Sequence, residues 1–260
     1  MYYLDPKKPN APVVNHNPNS DFPEHFHDNL ELVYIESGTR IVTINGVDHI
    51  ETTKSLTVVF PFIPHAYKFD SDGMYACIGV NPRFMSGLED ILFGCLPDTP
   101  VISAERLGRN SELIDYLFNC PRGTRPETLN LLASALILEI SDELSLKKRG
   151  QGQLGSGILR VVAAQCSEGD FTIEKLSRLT GISIRTLQEF FSSTFGMTFS
   201  EFLRKNRLNA AMNLLGSSPG MSITEIAFES GFSSVRTFNR LFREEFGVSP
   251  SEFSGRRKQN

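Results

Sequence analysis

The sequence predicts an α+β chain: an N-terminal antiparallel β-barrel or jelly roll, a helical segment, and an all-α C-terminal domain with two helix-turn-helix motifs joined by a long helix. Three observations carry this prediction. Short runs rich in β-branched and aromatic residues crowd the stretch before Asn81, leucines recur at helical spacing through 111–146, and the final stretch, 151–260, contains one helix-pair pattern twice. A chain of 260 residues has room for two modest domains, each with its own core.

Residues 1–23 carry Pro6, Pro9, Pro12, Pro18 and Pro23 among asparagines, a composition that favours an extended arm over a helix. Strand-like text follows at 30–35 (LELVYI) and 40–44 (RIVTI), and then Asn45-Gly46, a two-residue hairpin signal because both positions tolerate positive φ. Further short strands are expected at 56–60, 66–69 and 75–80. Closure into a small barrel or jelly roll would remove or shorten the exposed edges.

Within this part lie His25, His27, Glu31 and His65. Three imidazoles and a carboxylate that converge can bind a divalent ion such as Zn, Mn, Fe or Ni, can hydrogen-bond a polar effector, or can simply be a structural cluster. The spacing His25-x-His27-x-x-x-Glu31, followed by Gly38, resembles the first motif of the cupin barrels, and His65 stands where their later histidine ligand lies. The second motif is only partial, since Thr53-Lys54-Ser55 replaces its glycine-acid start and Pro61-Phe62-Ile63-Pro64-His65 departs from the full pattern. The four residues are therefore assigned to effector binding, with no cofactor required and a divalent metal as the alternative occupant.

Helices are expected at 111–118 and 127–146. In the second, Leu129, Leu132, Leu136, Ile140 and Leu144 approximate a 3.5-residue repeat, with Leu131, Ile137 and Leu138 widening the apolar face. Such a helix packs either on its own barrel or against a second copy. Residues 147–157 (KKRGQGQLGSG) have the composition of a flexible linker.

The duplication runs from Ile173 through Leu176, Gly181, Ser183, Arg185, Thr186, Leu187, Phe191, Phe195, Gly196, Ser200 and Glu201. It recurs from Ile223 through Ile226, Gly231, Ser233, Arg236, Thr237, Phe238, Phe242, Phe246, Gly247, Ser251 and Glu252, at an offset of 50 before the turn and 51 after it. Each copy reads as a helix, a glycine turn, a capping serine and a second helix closed by glycine. Residues 200–215 (SEFLRKNRLNAAMNLL) read as one connecting helix of about 24 Å, with Phe202, Leu203, Leu208, Ala211, Leu214 and Leu215 on its buried side. The phenylalanines at 191, 195, 242 and 246 recur at helical spacing, which points to core packing rather than an aromatic platform for single strands.

Residues 158–257 resemble the DNA-binding domain of the AraC/XylS family of bacterial transcription regulators. The matching text is Arg207-Leu208, Ala210-Ala211, Leu214-Leu215, Ser222-Ile223-Thr224-Glu225-Ile226-Ala227, Gly231-Phe232, Phe238-Asn239-Arg240-Leu241-Phe242-Arg243 and Phe246-Gly247-Val248-Ser249-Pro250. The resemblance implies two recognition helices in successive major grooves, whose turns repeat at about 34 Å. It places Arg185, Gln188 and Glu189 in the first groove and Arg236, Asn239 and Arg240 in the second, with Arg204, Lys205 and Arg243 on phosphates or solvated faces. Glu189 is a departure, because many relatives carry a basic residue there and another near Ser192. The resemblance also implies a sugar or similar small metabolite as effector, a homodimer through antiparallel packing of the 127–146 helix, RNA polymerase as a partner, and activation of transcription.

Charge agrees with this division: residues 151–260 hold 13 Lys and Arg against 10 Asp and Glu, whereas 1–150 hold 13 against 20. Cys77, Cys95, Cys120 and Cys166 show no paired spacing, so reduced thiols in a cytoplasmic protein are expected, and no apolar run suits a signal peptide or membrane span. The domain reading is an effector-binding domain at 1–110, a helical dimerisation segment with linker at 111–150, and a DNA-binding domain at 151–260. The chain is read as non-enzymatic. Two alternatives remain: a metal-dependent cupin oxygenase or isomerase fused to a DNA-binding domain, and a protein-binding module that senses no small molecule.

Overall fold

The computed structural model describes residues 14–18, 21–69, 72–121, 123–149, 152–217 and 220–257. The chain divides into two compact units, Met1–Gly152 and Gln153–Asn260.

The first unit begins with β1 (Asn15–Pro18), β2 (Phe22–His25), β3 (Leu30–Ser37), β4 (Thr39–Ile44), β5 (Val47–Thr52), β6 (Leu56–Val59), β7 (His65–Phe69) and β8 (Met74–Val80). It continues through α1 (Glu89–Gly94), β9 (Cys95–Pro97), β10 (Val101–Ile102), α2 (Ala104–Leu107), α3 (Ser111–Phe118), α4 (Pro126–Glu139) and β11 (Leu146–Lys148). A five-stranded sheet runs β1-β8-β3-β6-β10 and a four-stranded sheet runs β2-β7-β4-β5, both antiparallel. The two face each other as a jelly-roll sandwich and do not close into the barrel that was the other expectation. The edge strands of the five-stranded sheet are short, two residues in β10 and four in β1.

Burial follows strand position. β4 alternates, with Arg40, Val42 and Ile44 turned inward, whereas central β3 is buried on both faces. Glu31 and Val33 look into the sandwich, and Tyr34 on the other face stacks on Phe118 of α3 at 5.6 Å. Asn45 and Gly46 take φ of 51° and 76° between paired Ile44 and Val47, the predicted hairpin. The proline-rich opening is partly folded: 15–18 and 22–25 are strands, and residues 1–13 and 19–20 lie outside the described residues.

Two expectations near the end of this unit are corrected. The second helix stops at Glu139, not at residue 146. The N–H of Ile140 bonds back to Leu136, and a turn with Ser145 at φ 49° buries Leu144 and leads into β11. The leucine repeat seals the helix to its own unit: Leu129, Leu136, Ile140 and Leu144 are buried, while Leu131 and Leu138 are 71% and 55% exposed. Residues 147–157 are not a linker throughout. Lys147 and Lys148 pair with β9, Arg149 donates to the carbonyls of Cys95 (3.2 Å) and Pro61 (2.9 Å), and a helix starts at Gly152. Composition cannot reveal pairing with a strand fifty residues away.

The second unit contains α5 (Gly152–Gln165), α6 (Ile173–Thr180), α7 (Ile184–Phe195), α8 (Phe199–Ser217), α9 (Ile223–Glu229), α10 (Val235–Phe246) and α11 (Pro250–Arg257). The second helices of the two pairs close alike. Gly196 and Gly247 are left-handed at φ 65° and 72°, and their N–H groups bond to Ser192 and Arg243. Thr198 with Glu201 opens α8 as a capping box, and Ser249 with Glu252 repeats it at α11. The cap of α7 is Ser183, as expected, but α10 is capped by Ser234 and not by Ser233. The inserted residue that moves the offset from 50 to 51 therefore lies in the second turn, before the cap.

The connecting helix extends over 19 residues, about 28 Å. It packs against α7 and against α9, α10 and α11. Phe191 lies against Phe199 and Phe202, and Phe242 against Phe238, Phe246 and Phe253, so the recurring phenylalanines are the two halves' cores.

Candidate functional site

Two places gather the candidate residues. In the second unit, Arg185, Gln188 and Glu189 on α7 and Arg236, Asn239 and Arg240 on α10 are all exposed. They stand in the first two turns of helices whose opposite faces bury Leu187, Phe190 and Phe191, or Phe238 and Phe242. Polar candidates outward over a buried apolar face is the placement a recognition helix needs.

These six candidates differ in what holds them. Arg185 donates to Glu189 at 3.0 Å, and Arg240 donates to both carboxylate oxygens of Glu244 at 2.7 and 3.0 Å. Arg236 has no ion-pair partner among the described residues. Of the phosphate candidates, Arg243 is exposed in the last turn of α10. Lys205 stands 4.0 Å from Glu245. Arg204 is half-buried, with its Nε buried and unpartnered, a poor position for a solvated backbone contact.

In the first unit, His25, His27, Glu31 and His65 come together although 40 positions separate the first from the last. Antiparallel pairing of β2 with β7 sets His25 directly opposite His65, with ring centroids 4.1 Å apart. Glu31 arrives from β3 in the other sheet, so the cluster bridges the sandwich. His27 follows β2 in a loop whose carbonyl accepts from the N–H of Phe62 at 2.7 Å. Phe62 holds φ 62°, uncommon for an aromatic residue, and so turns the chain into His65.

All four side chains are buried, and their ligating atoms lie within 4.8 Å of one another. Each histidine places Nδ1 on a main-chain carbonyl: His25 on Pro23 (3.0 Å), His27 on Asn29 (3.2 Å) and His65 on Ile63 (2.8 Å). A carbonyl only accepts, so Nδ1 of each ring donates there and Nε2 is turned toward the cluster. Burial, then the nearby His65, pushes His27 down to about 3; burial, then His65 and His27, pushes His25 well below its ordinary value. Burial would raise the Glu31 carboxyl, but the facing His65 and the Tyr67 hydroxyl outweigh it and hold the group below the ordinary carboxylate value.

Glu31 Oε1 accepts from Tyr67, whose ring carries the Arg40 guanidinium at 4.1 Å, and Arg40 is paired with buried Glu51. Sequence reading missed Tyr67. It sits two residues beyond His65 on one strand and hence on the same face, a period-two signal that was available.

The AraC-like ligand binding domain model matches residues 11–144, and the helix-turn-helix domain model matches 176–256. The HTH-type transcriptional activator RhaS of Escherichia fergusonii is 29% identical over 251 residues, covering 90% of this chain and 88% of that protein. RhaS of Escherichia coli is 29% identical over 249 residues with the same coverage. Among solved structures, ToxT of Vibrio cholerae bound to (E)-4-(8-methylnaphthalen-1-yl)but-3-enoic acid superposes with a TM-score of 0.65 at 15% identity, over 94% of this chain and 98% of that one. Wild-type ToxT bound to an unsaturated fatty acid gives 0.63 at 15% identity, over 98% and 97%. At that identity the likeness is one of fold.

Proposed function

Because the chain belongs to the AraC family of transcription regulators, with its ligand-binding domain ahead of a paired helix-turn-helix domain, we propose that it is a ligand-responsive regulator that reads promoter duplex through α7 and α10. The observation that carries this is the pair of similarly capped helices, each with a buried aromatic face and an exposed polar one. Arginine can take guanine O6 and N7, and glutamine or asparagine can pair with adenine. A stiff α8 of about 28 Å suits two readers set one groove apart.

The first unit is the sensing half, and its effector is a small polar metabolite such as a sugar, met by the cluster of His25, His27, Glu31 and His65. Binding would shift the population between arrangements of the DNA-binding domain. RhaS is named as an activator, which supports activation and contact with RNA polymerase here. The relatives are regulators, which supports a non-enzymatic protein working in the cytoplasm beside its promoter. Leu131, Ala135 and Leu138 form one exposed stripe along α4, an apolar face suited to a symmetric homodimer. That face replaces the leucine repeat as the dimer surface.

The test is titration of full-length protein against duplexes taken from the control regions around its own gene, at about physiological salt and with scrambled competitor. Retention of one duplex against the competitor is expected, and a change in that affinity with one member of a sugar panel. Equal competition by scrambled DNA overturns the regulator reading, and an unchanged affinity across the panel overturns the sugar class.

A further inference from the structure

We propose that Glu244 is a positioning residue for base reading: it holds the Arg240 guanidinium on α10 so that the edge formed by Nε and Nη2 is presented to a single guanine. The proposal rests on the reading of α10 as a recognition helix and names the group that sets its specificity.

Arg240 and Glu244 stand one helical turn apart on α10, so their side chains meet. Nη1 of Arg240 donates to both carboxylate oxygens of Glu244, at 2.7 and 3.0 Å. Its Nε and Nη2 have no partner among the described residues. Those two atoms carry parallel N–H bonds on one edge of the planar guanidinium, the fork that guanine O6 and N7 accept. In α7 the arrangement differs. Arg185 gives its Nε to Glu189 at 3.0 Å, which closes that edge and leaves the end formed by Nη1 and Nη2. Glu189 is itself among the candidate readers, whereas Glu244 lies beyond them, in the third turn of its helix.

Two physical effects give this contact a role beyond helix stability, to which an exposed ion pair one turn apart adds little. An arginine side chain is rich in rotamers, and restricting it before the duplex arrives removes part of the ordering cost of binding. The carboxylate also competes with phosphate for the same guanidinium, which turns Arg240 away from sequence-blind backbone contact and toward a base edge. Arg236, one turn earlier on the same helix, has no such restraint among the described residues and serves as the internal control.

A duplex selected from a random pool by the full-length chain is altered one base pair at a time and titrated at one salt concentration. Arg240→Ala identifies the guanine that Arg240 reads. At that guanine, Glu244→Gln is expected to reduce discrimination against the other bases about 10-fold. Discrimination elsewhere, including at the base read by Arg236, should be unchanged, and binding to scrambled duplex should strengthen as a negative charge is removed. In the Arg240→Ala background, Glu244→Gln should change nothing further at that position. Discrimination that Glu244→Gln leaves intact, a loss spread evenly over all positions, or an Arg240→Ala variant that loses no guanine overturns the proposal and leaves the regulator reading in place. A wild-type chain that prefers no duplex over scrambled competitor removes the regulator reading and the role of Glu244 with it.

Discussion

The side chain of Arg207 closes over Gly231: a Cβ on that glycine would lie 2.8 Å from its Nε and 3.0 Å from the carbonyl oxygen of Cys166. Arg207 donates to that carbonyl at 3.0 Å and to the main-chain carbonyl of Glu168 at 2.6 Å, so one α8 arginine ties the chain before the first helix pair to the turn of the second.

Gly231 also holds φ 85°, so alanine there meets strain and collision together, whereas Gly181 at φ 70° has open space around it. Gly181→Ala should cost about 1–2 kcal/mol and Gly231→Ala clearly more. Denaturant melts of the two variants check the order, and equal losses would refute the packing role of Arg207.

The two recognition helices should contribute unequally. Arg185 is held by Glu189, while Arg236 is free of any described ion pair. Arg236→Ala should lose about 1–3 kcal/mol of operator affinity and Arg185→Ala less, in titrations at one salt concentration. Glu189→Gln should raise affinity for all duplexes by removing a repulsion. Equal losses for the two arginines would contradict this division.

Breaking the buried pair of Arg40 and Glu51 should be costly. Glu51→Ala leaves a guanidinium enclosed by Tyr67 and Tyr75 without its counter-charge, at a cost of about 3–5 kcal/mol. Arg40→Met with Glu51→Leu should recover most of it. Failure of the double variant to recover would contradict the unpaired charge as the source of the loss.

Acid sensitivity should follow the capping boxes. Main-chain N–H bonds, from Ser222 to Glu225 and from Thr198 to Glu201, followed by the hydroxyl contacts, hold both carboxyls below their ordinary 4.5. A depressed carboxyl stabilises fully above its unfolded value and loses that contribution as pH falls through the folded one. Melting of the helical unit should therefore be flat above about pH 5 and decline below 4.5, with Glu201→Gln plus Glu225→Gln flattening the decline. An unchanged slope in the double variant would assign it to other groups.

Leu131→Glu with Leu138→Glu should convert a dimer to a monomer without unfolding, because both side chains are solvent-exposed. Sedimentation at several concentrations reads this. A dimer that survives both charges uses another face.

What the sequence disclosed was local. Gly181, Gly196 and Gly247, the Ser183 cap and the phenylalanine spacing each act within one helical turn, so the helix pairs were legible, with the second cap displaced by one residue to Ser234. The hairpin at Asn45-Gly46 was legible for the same reason. Non-local pairings were not: β11 against β9, the end of α4 at Glu139 and the inward turn of its leucines depend on surfaces far away in sequence. For the histidine cluster the members were named from the resemblance to the cupin motif. Their Nδ1 anchors and Tyr67 emerged only from strand register.

The central claim is that α7 and α10 read two separate blocks of duplex. Selection of bound fragments from a random double-stranded pool by the full-length chain tests it most directly. Two short conserved blocks about one helical turn apart, the stronger weakened by Arg236→Ala, are predicted. A single block, or enrichment that Arg236→Ala leaves unchanged, would contradict it.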